Sequence, residues 1–125
     1  MLKTFRFLLL SLLFAGTALA AGAPFDAAKF DALNKEGKPI LVAIHADWCP
    51  TCKAQDPIVS ELLKMPALQG ITTLRVDFDK QKDIVKRFKV QYQSTLIVFK
   101  DGKEVGRSTG DTNKDSIAAL LKKAL

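Results

Sequence analysis

The sequence predicts an α/β fold, in which a central mixed sheet lies between two layers of helices as a three-layer α/β/α sandwich. Predicted helices and strands alternate in the order αβαβαββα, and this alternation indicates parallel strands joined by crossover helices. The first predicted strand, residues 40–44, is a continuous apolar run, as expected of a strand covered on both faces. Asp101-Gly102 predicts an antiparallel hairpin between the last two strands, which makes the sheet mixed.

The first helix and the first strand follow from local spacing. Residues 25–35 carry apolar side chains at helical intervals and are followed by Gly37, a typical C-terminal cap. Pro39 cannot continue the helix, so the strand at residues 40–44 comes directly after it.

The second helix carries both cysteines of the chain. Proline suits a first helical turn, because its missing N–H would be unpaired there, so this helix is predicted to begin at Cys49 or Pro50. It is predicted to extend to residue 64, with Pro57 bending it midway. A second buried strand is predicted at residues 71–78.

The last third of the chain predicts a helix, a hairpin and a final helix. The helix covers residues 80–88, and the hairpin strands cover residues 95–100 and 103–107. The final helix covers residues 114–125 and has apolar side chains on its inner face.

The N-terminal segment, residues 1–20, is predicted to be a secretory signal peptide. Lys3 and Arg6 precede an apolar run, and residues 18–20 have the small-x-small pattern of a cleavage site. The run is shorter than the roughly 20 apolar residues of a membrane span, so cleavage is favoured, with an uncleaved membrane anchor as the alternative. We therefore expect one domain, residues 21–125, in the periplasm or otherwise secreted.

Charge and composition argue against nucleic acid as a partner. The 125-residue chain has a formal net charge of +6, but its lysines are dispersed and form no basic stripe interleaved with aromatic side chains. A solvated helix surface explains them. We expect a monomer that contacts a membrane only if the N-terminal segment is retained.

The spacing of Cys49 and Cys52 favours chemistry over structural stabilisation. Exported proteins commonly use cysteines in structural disulfides. A bridge between positions three apart closes a very small loop, however, and removes little entropy from the unfolded chain.

The helix start predicts which cysteine reacts first. Unpaired backbone N–H groups and the helix dipole stabilise a thiolate at a helix N-terminus, so Cys49 is expected to be the nucleophile. Cys52, one turn further on, is expected to resolve the mixed disulfide that Cys49 forms with a substrate. Trp48 is expected either to shield one side of the pair or simply to pack, and Lys53 either to add positive charge or to be solvated.

The sequence WCPTCK, residues 48–53, resembles the W-C-x-x-C-K motif of the thioredoxin superfamily. Pro57 matches the family's helix-kinking proline, and TLIVFKDGKEVGR resembles the hairpin of its last two strands. The likeness covers nearly all of the expected mature chain, is closest to periplasmic and membrane-linked thioredoxin-like domains, and lacks only the extra N-terminal strand that many thioredoxins have.

The resemblance implies a thiol–disulfide oxidoreductase that contributes to cell redox homeostasis. Its substrates would be protein disulfides or dithiols, an upstream redox partner would recharge it, and the Cys49–Cys52 disulfide would be its only redox group, without a cofactor or a metal. Pro50 and Thr51 lie between the cysteines, where the family tunes its potential. They match neither the reducing nor the strongly oxidising members, so the direction of electron flow stays open.

Three departures from the family affect the site. Ser94 stands where the family has a cis-proline, which predicts a trans or a strained Gln93–Ser94 bond and puts the usual docking of substrate in doubt. Ala43 stands where many thioredoxins have a buried acid, which leaves His45 or Asp47 as the nearby ionisable groups. His45 replaces a bulky aromatic residue and is expected either to pack or to tune the site, since histidine titrates near neutral pH.

The alternative function is a periplasmic metal- or iron–sulfur-binding protein. His45, Cys49 and Cys52 could supply three ligands. The sequence offers no clear fourth ligand, and redox chemistry already explains the cysteine spacing, so the oxidoreductase is favoured.

Overall fold

The computed structural model describes residues 22–125, which form a five-stranded sheet and four helices. The elements are β1 (Ala23–Pro24), α1 (Ala27–Lys35), β2 (Ile40–His45), α2 (Pro50–Leu63), β3 (Thr72–Asp77), α3 (Lys82–Arg87), β4 (Thr95–Lys100), β5 (Lys103–Thr109) and α4 (Lys114–Lys122). The predicted fold class is confirmed, and every predicted helix and strand is present with small changes at its ends. The predicted signal peptide, residues 1–20, lies outside the described residues.

The sheet has the order β1-β3-β2-β4-β5 and is mixed, as predicted. β1, β3 and β2 are parallel, and β4 and β5 are antiparallel to their neighbours. The expectation that the N-terminal strand is missing was wrong, because Ala23 and Pro24 pair with Leu74 and Arg75 of β3. Two residues are too short for a periodic pattern, and the sheet edge tolerates the proline, since its missing N–H breaks no ladder there.

Two apolar cores cover the two faces of the sheet. One core includes side chains of α1 and α3 and contains four phenylalanines in edge-to-face or tilted contact: Phe25, Phe30, Phe88 and Phe99. The other core includes side chains of α2 and α4. Alternate residues of β2 enter opposite cores, which explains why its sequence is apolar throughout.

Local signals define the helix ends. The side chains of Asp26 and Asn113 accept backbone N–H groups at the starts of α1 and α4. Gly37 follows α1 with a φ of 70°, a conformation that favours glycine. Among the helices within residues 22–125, none combines the length and the apolar character that crossing a membrane requires.

Candidate active site

The cysteines lie where β2 ends and α2 begins. His45 is the last residue of β2, and the backbone N–H of Cys49 bonds to the carbonyl of Ala46 in the connecting turn. The carboxyl ends of parallel strands are the usual position of sites in open α/β sheets. The loop before β4 reaches the same place, because Ile44 pairs with Thr95 in the antiparallel register of β2 and β4.

Cys49 and Cys52 are free thiols that lie close together. Cys49 is the N-cap residue of α2, and its Sγ accepts the backbone N–H of Cys52 at 3.2 Å. Both residues are buried, with exposed fractions of 4% and 2%, and they pack with Ala46 and Phe78. Exposure therefore does not separate the nucleophile from the resolving thiol.

The hydroxyl of Ser94 bridges the two sulfurs. Its Oγ lies 3.2 Å from Sγ of Cys49 and 3.0 Å from Sγ of Cys52, and the residue is only 3% exposed. Proline has no such group, so this replacement places a hydrogen-bonding hydroxyl directly between the reactive thiols.

The backbone holds Ser94 in an unusual conformation. The chain contains no cis peptide bond within residues 22–125, so the bond before Ser94 is trans, and its φ is 55°. The left-handed region is disfavoured for residues with a Cβ by roughly 1–2 kcal/mol. The Gln93–Ser94 bond is therefore trans, as one of the two expectations had it, and the strain lies at the φ of Ser94.

Gln55 fixes the position of Ser94. Its Nε2 donates to the Ser94 carbonyl at 3.2 Å and to the Asp111 carbonyl at 2.8 Å. The backbone N–H of Gly110 also donates to the Ser94 carbonyl, at 2.9 Å. Sequence reasoning missed Gln55, although a glutamine one turn after Cys52 on the buried face of α2 is a visible signal.

Hydrogen bonds and burial shift the pKa values of the two thiols in opposite directions. Burial alone would raise the pKa of Cys49, but hydrogen bonds from the side chains of Cys52 and Ser94 and from the backbone of Cys52 and Thr51 outweigh it and hold the pKa below its usual range. The pKa of Cys52 is raised, chiefly by burial and then by its hydrogen bond with Cys49, against weaker effects of Ser94 and Ala46. This difference agrees with Cys49 as nucleophile and Cys52 as resolving thiol.

The residues flanking the cysteines lie at the surface. Trp48 is 59% exposed, and its Nε1–H donates to Oδ2 of Asp79 at 2.6 Å. The packing alternative for Trp48 was therefore wrong. Lys53 and Thr51 are exposed positions of α2, and Pro50 is its first residue, as predicted.

His45 and Asp47 meet an acid that the sequence did not associate with them. His45 pairs with Asp77 in the parallel register of β2 and β3, and its Nε2 lies 4.0 Å from Oδ1 of Asp47. Potential ligand atoms of these three residues lie within 4.8 Å of one another, and within residues 22–125 neither cysteine joins such a group. The ligand set of the alternative function, His45 with Cys49 and Cys52, is not assembled.

Asp77 is held as a carboxylate by its own loop. Its Oδ1 accepts the backbone N–H groups of Asp79 and Lys80 at 3.0 Å each. The bond from Lys80 is the largest influence that lowers the pKa of Asp77, with burial opposing it and with Asp79, His45 and the Lys80 charge adding to it.

An ion pair lies beside Ala43, the residue at the position of the missing buried acid. Ala43 lies opposite Arg75 in the sheet, and Arg75 donates to the carboxylate of Asp56 at 2.9 Å. Asp56 is on α2, one turn after Cys52. The strand that lacks the acid thus faces an arginine paired with an acid on the helix.

Comparison with known proteins identifies the family. Residues 23–123 match the family model described as Thioredoxin. The chain belongs to the thioredoxin family. A thioredoxin of Chlamydia trachomatis serovar D is 39% identical over 84 residues, which are 67% of this chain and 80% of that protein.

Other relatives agree with this thioredoxin assignment. A putative protein disulfide-isomerase of Schizosaccharomyces pombe is 28% identical over 123 residues, which cover 92% of this chain and 25% of that protein. The crystal structure of Trxlp from Edwardsiella tarda EIB202 has a TM-score of 0.77 at 38% identity, covering 79% of this chain and 96% of that one. The predicted thioredoxin-like thiol–disulfide oxidoreductase is confirmed.

Proposed function

We propose that this thioredoxin-family protein exchanges disulfides with protein substrates in the cell envelope, with Cys49 as nucleophile and Cys52 as resolving thiol. The observation that carries the proposal is the Ser94 hydroxyl, 3.2 Å from one sulfur and 3.0 Å from the other. The envelope location rests on the signal-peptide pattern of residues 1–20. The protein acts as a monomer and uses no redox group besides its own two sulfurs.

The reaction proceeds in two exchanges. The Cys49 thiolate attacks one sulfur of a substrate disulfide, so a Cys49–substrate bond forms while the substrate disulfide breaks and its other sulfur leaves and takes a proton from the solvent. Cys52 then loses its proton and attacks Cys49 Sγ, which releases the second substrate thiol. The substrate gains two electrons and two protons, the protein becomes the Cys49–Cys52 disulfide, and the reverse sequence oxidises a dithiol.

Ser94 provides the proton transfer from Cys52 that a buried acid at the position of Ala43 would otherwise provide. The Cys49 thiolate accepts the Ser94 O–H in the resting dithiol, because its pKa is the lower of the two. During resolution the Cys52 thiol donates its proton to Ser94 Oγ as the Ser94 O–H donates to the departing substrate sulfur. The hydroxyl thus carries the proton from the resolving thiol to the leaving group without being charged itself.

The same hydrogen bonds influence the direction of electron flow. They stabilise the dithiol form, and a stabilised reduced form makes a stronger oxidant. We expect a reduction potential above the approximately −270 mV of thioredoxin, so that protein dithiols in the envelope are oxidised or isomerised more readily than their disulfides are reduced.

The test is an equilibrium titration of the purified protein against glutathione redox buffers, with free thiols counted by alkylation and mass. A reversible two-thiol transition with a midpoint above about −270 mV supports the proposal, and a lower midpoint contradicts the proposed direction. Thiols that react only after a chelator is added would instead favour the metal-binding alternative. The N-terminal residue of protein recovered from the envelope fraction tests export, with Ala21 expected after cleavage.

A further inference from the structure

A cavity of about 450 Å³ shares one lining residue, Phe78, with the surroundings of the thiols. Phe78 lines it, and the same ring packs against the buried cluster of Ala46, Cys49 and Cys52. The remaining lining residues belong to α3 and the turn after it: Lys82, Val85, Lys86, Lys89, Val90 and Gln91. The Phe78 side chain therefore links this cavity to the cysteine cluster.

The lining combines an apolar floor with a cationic rim. Phe78, Val85 and Val90 form the floor, and Lys82, Lys86 and Lys89 form the rim. None of the lining residues is acidic. Such a lining suits an occupant that has an apolar side chain and negative charge beside it.

The rim lysines have no acidic partner within residues 22–125. None of them is within 4.0 Å of a carboxylate in that part of the chain, whereas Arg75, Arg87 and Arg107 each hold one. Asp83 of α3 forms no ion pair with them within the same residues, and Asp79 and Asp77 accept the Trp48 indole N–H and backbone N–H groups. The three ammonium groups remain available to an external anion.

Local backbone geometry sets the third lysine at the rim. Lys82 and Lys86 are four residues apart in α3, which places them on one side of that helix. Lys89 follows α3 with a φ of 53°, and the Val90 N–H bonds to the Val85 carbonyl, the arrangement of a helix end that normally uses glycine. A residue with a long cationic side chain thus occupies a position that the backbone would fill more easily with glycine.

We propose that this cavity docks an acidic segment of the substrate protein, with one large apolar side chain on the Phe78, Val85 and Val90 floor and flanking aspartates or glutamates on the lysine rim. The proposal rests on the proposed function, since docking here would present a neighbouring substrate disulfide to Cys49. It assigns the protein a preference among substrates, which the thiol pair alone does not supply.

The experiment compares disulfide exchange with four substrates. Three are synthetic peptides with the same disulfide, flanked by Glu-Leu-Glu, by Lys-Leu-Lys or by Glu-Ser-Glu. The fourth is hydroxyethyl disulfide, which is neutral and too small to use the cavity. The protein is compared with a rim variant, Lys82→Gln, Lys86→Gln and Lys89→Gln, and with a matched control, Lys35→Gln, Lys103→Gln and Lys122→Gln, which changes the net charge equally at exposed positions outside the lining.

We expect the Glu-Leu-Glu peptide to react fastest with the unaltered protein. The rim variant should react with this peptide roughly tenfold more slowly, because it loses three exposed charge pairs with the peptide. This difference should shrink at high salt. Rates with hydroxyethyl disulfide should be the same for all three proteins. Equal rates for acidic and basic peptides, equal rates for the Leu and Ser peptides, or an equal loss in the control variant would overturn the proposal.

Failure of the proposed function gives a different result. In that case hydroxyethyl disulfide also fails to react with the unaltered protein. Calorimetry with a disulfide-free Glu-Leu-Glu peptide then tests the cavity alone. We expect this peptide to bind the unaltered protein and not the rim variant. Equal binding to both proteins, or binding to neither, would refute the proposed docking site.

Discussion

Removal of the Ser94 hydroxyl is expected to lower the reduction potential of the Cys49–Cys52 pair. In the dithiol form this hydroxyl bonds to both sulfurs, at 3.2 Å and 3.0 Å. The variant Ser94→Ala removes both bonds and keeps a Cβ, so it adds no new backbone strain at a φ of 55°.

The magnitude follows from the hydrogen bond to the thiolate. Hydrogen bonds to charged groups contribute about 1.5–3 kcal/mol, and sulfur is a weak acceptor, so about 1.5 kcal/mol is the appropriate loss. For a two-electron couple about 30 mV corresponds to roughly 1.4 kcal/mol. Because the lost bond stabilises the reduced form, the potential should fall by about 30 mV.

The assay is the glutathione titration of the unaltered protein and the variant side by side. Ser108→Ala is the matched control, because the Ser108 hydroxyl is buried and has no hydrogen-bond partner within the described residues. A second variant, Ser94→Gly, also removes the hydroxyl and suits the positive φ. An unchanged or higher potential in both Ser94 variants would refute the role assigned to the hydroxyl.

Three further outcomes are expected. Gln55→Ala should lower the free energy of unfolding in urea by about 1–3 kcal/mol, since its side chain donates a buried hydrogen bond to Ser94 and a partly buried one to Asp111. The pH at which Cys49 alkylates should be unchanged in His45→Gln, because His45 is not among the groups that set the pKa of Cys49. As pH rises, Cys49 should alkylate before Cys52, since its pKa is lowered while that of Cys52 is raised; mass mapping of the labelled peptide identifies the order.

Each of these outcomes has a contrary result. Gln69→Ala removes an exposed glutamine that also donates to a backbone carbonyl, and an equal loss of stability there would mean that burial of Gln55 adds nothing. A shifted Cys49 profile in His45→Gln would show that the imidazole tunes the thiol. Labelling of Cys52 first would reverse the roles assigned to the two cysteines.

The predicted fold could be read from local patterns. Apolar side chains at helical spacing, a continuous apolar run for β2 and the Asp101-Gly102 turn each depend on a few neighbouring residues, so these patterns are visible without tertiary contacts. The exception was β1, since pairing of two residues with β3 leaves no periodic signal.

The cysteine pair was equally determined by the sequence. Cys49 precedes the first turn of α2 and Cys52 lies one turn along it, so the helix start alone brings Cys49 Sγ to the Cys52 N–H. The lowered pKa of Cys49 and the raised pKa of Cys52 follow in part from that local geometry. The order of reaction at the site could therefore be predicted before the structure was known.

The tertiary structure alone decided what surrounds the sulfurs. Ser94 lies 45 residues from Cys49 in sequence and reaches it because β4 pairs antiparallel with β2. The presence of serine where the family has proline indicated that this site departs from the family, but only the register of the sheet showed that the Ser94 hydroxyl lies between the thiols. Contacts of this kind depend on how whole elements pack, and a pattern confined to one segment of chain carries no information about them.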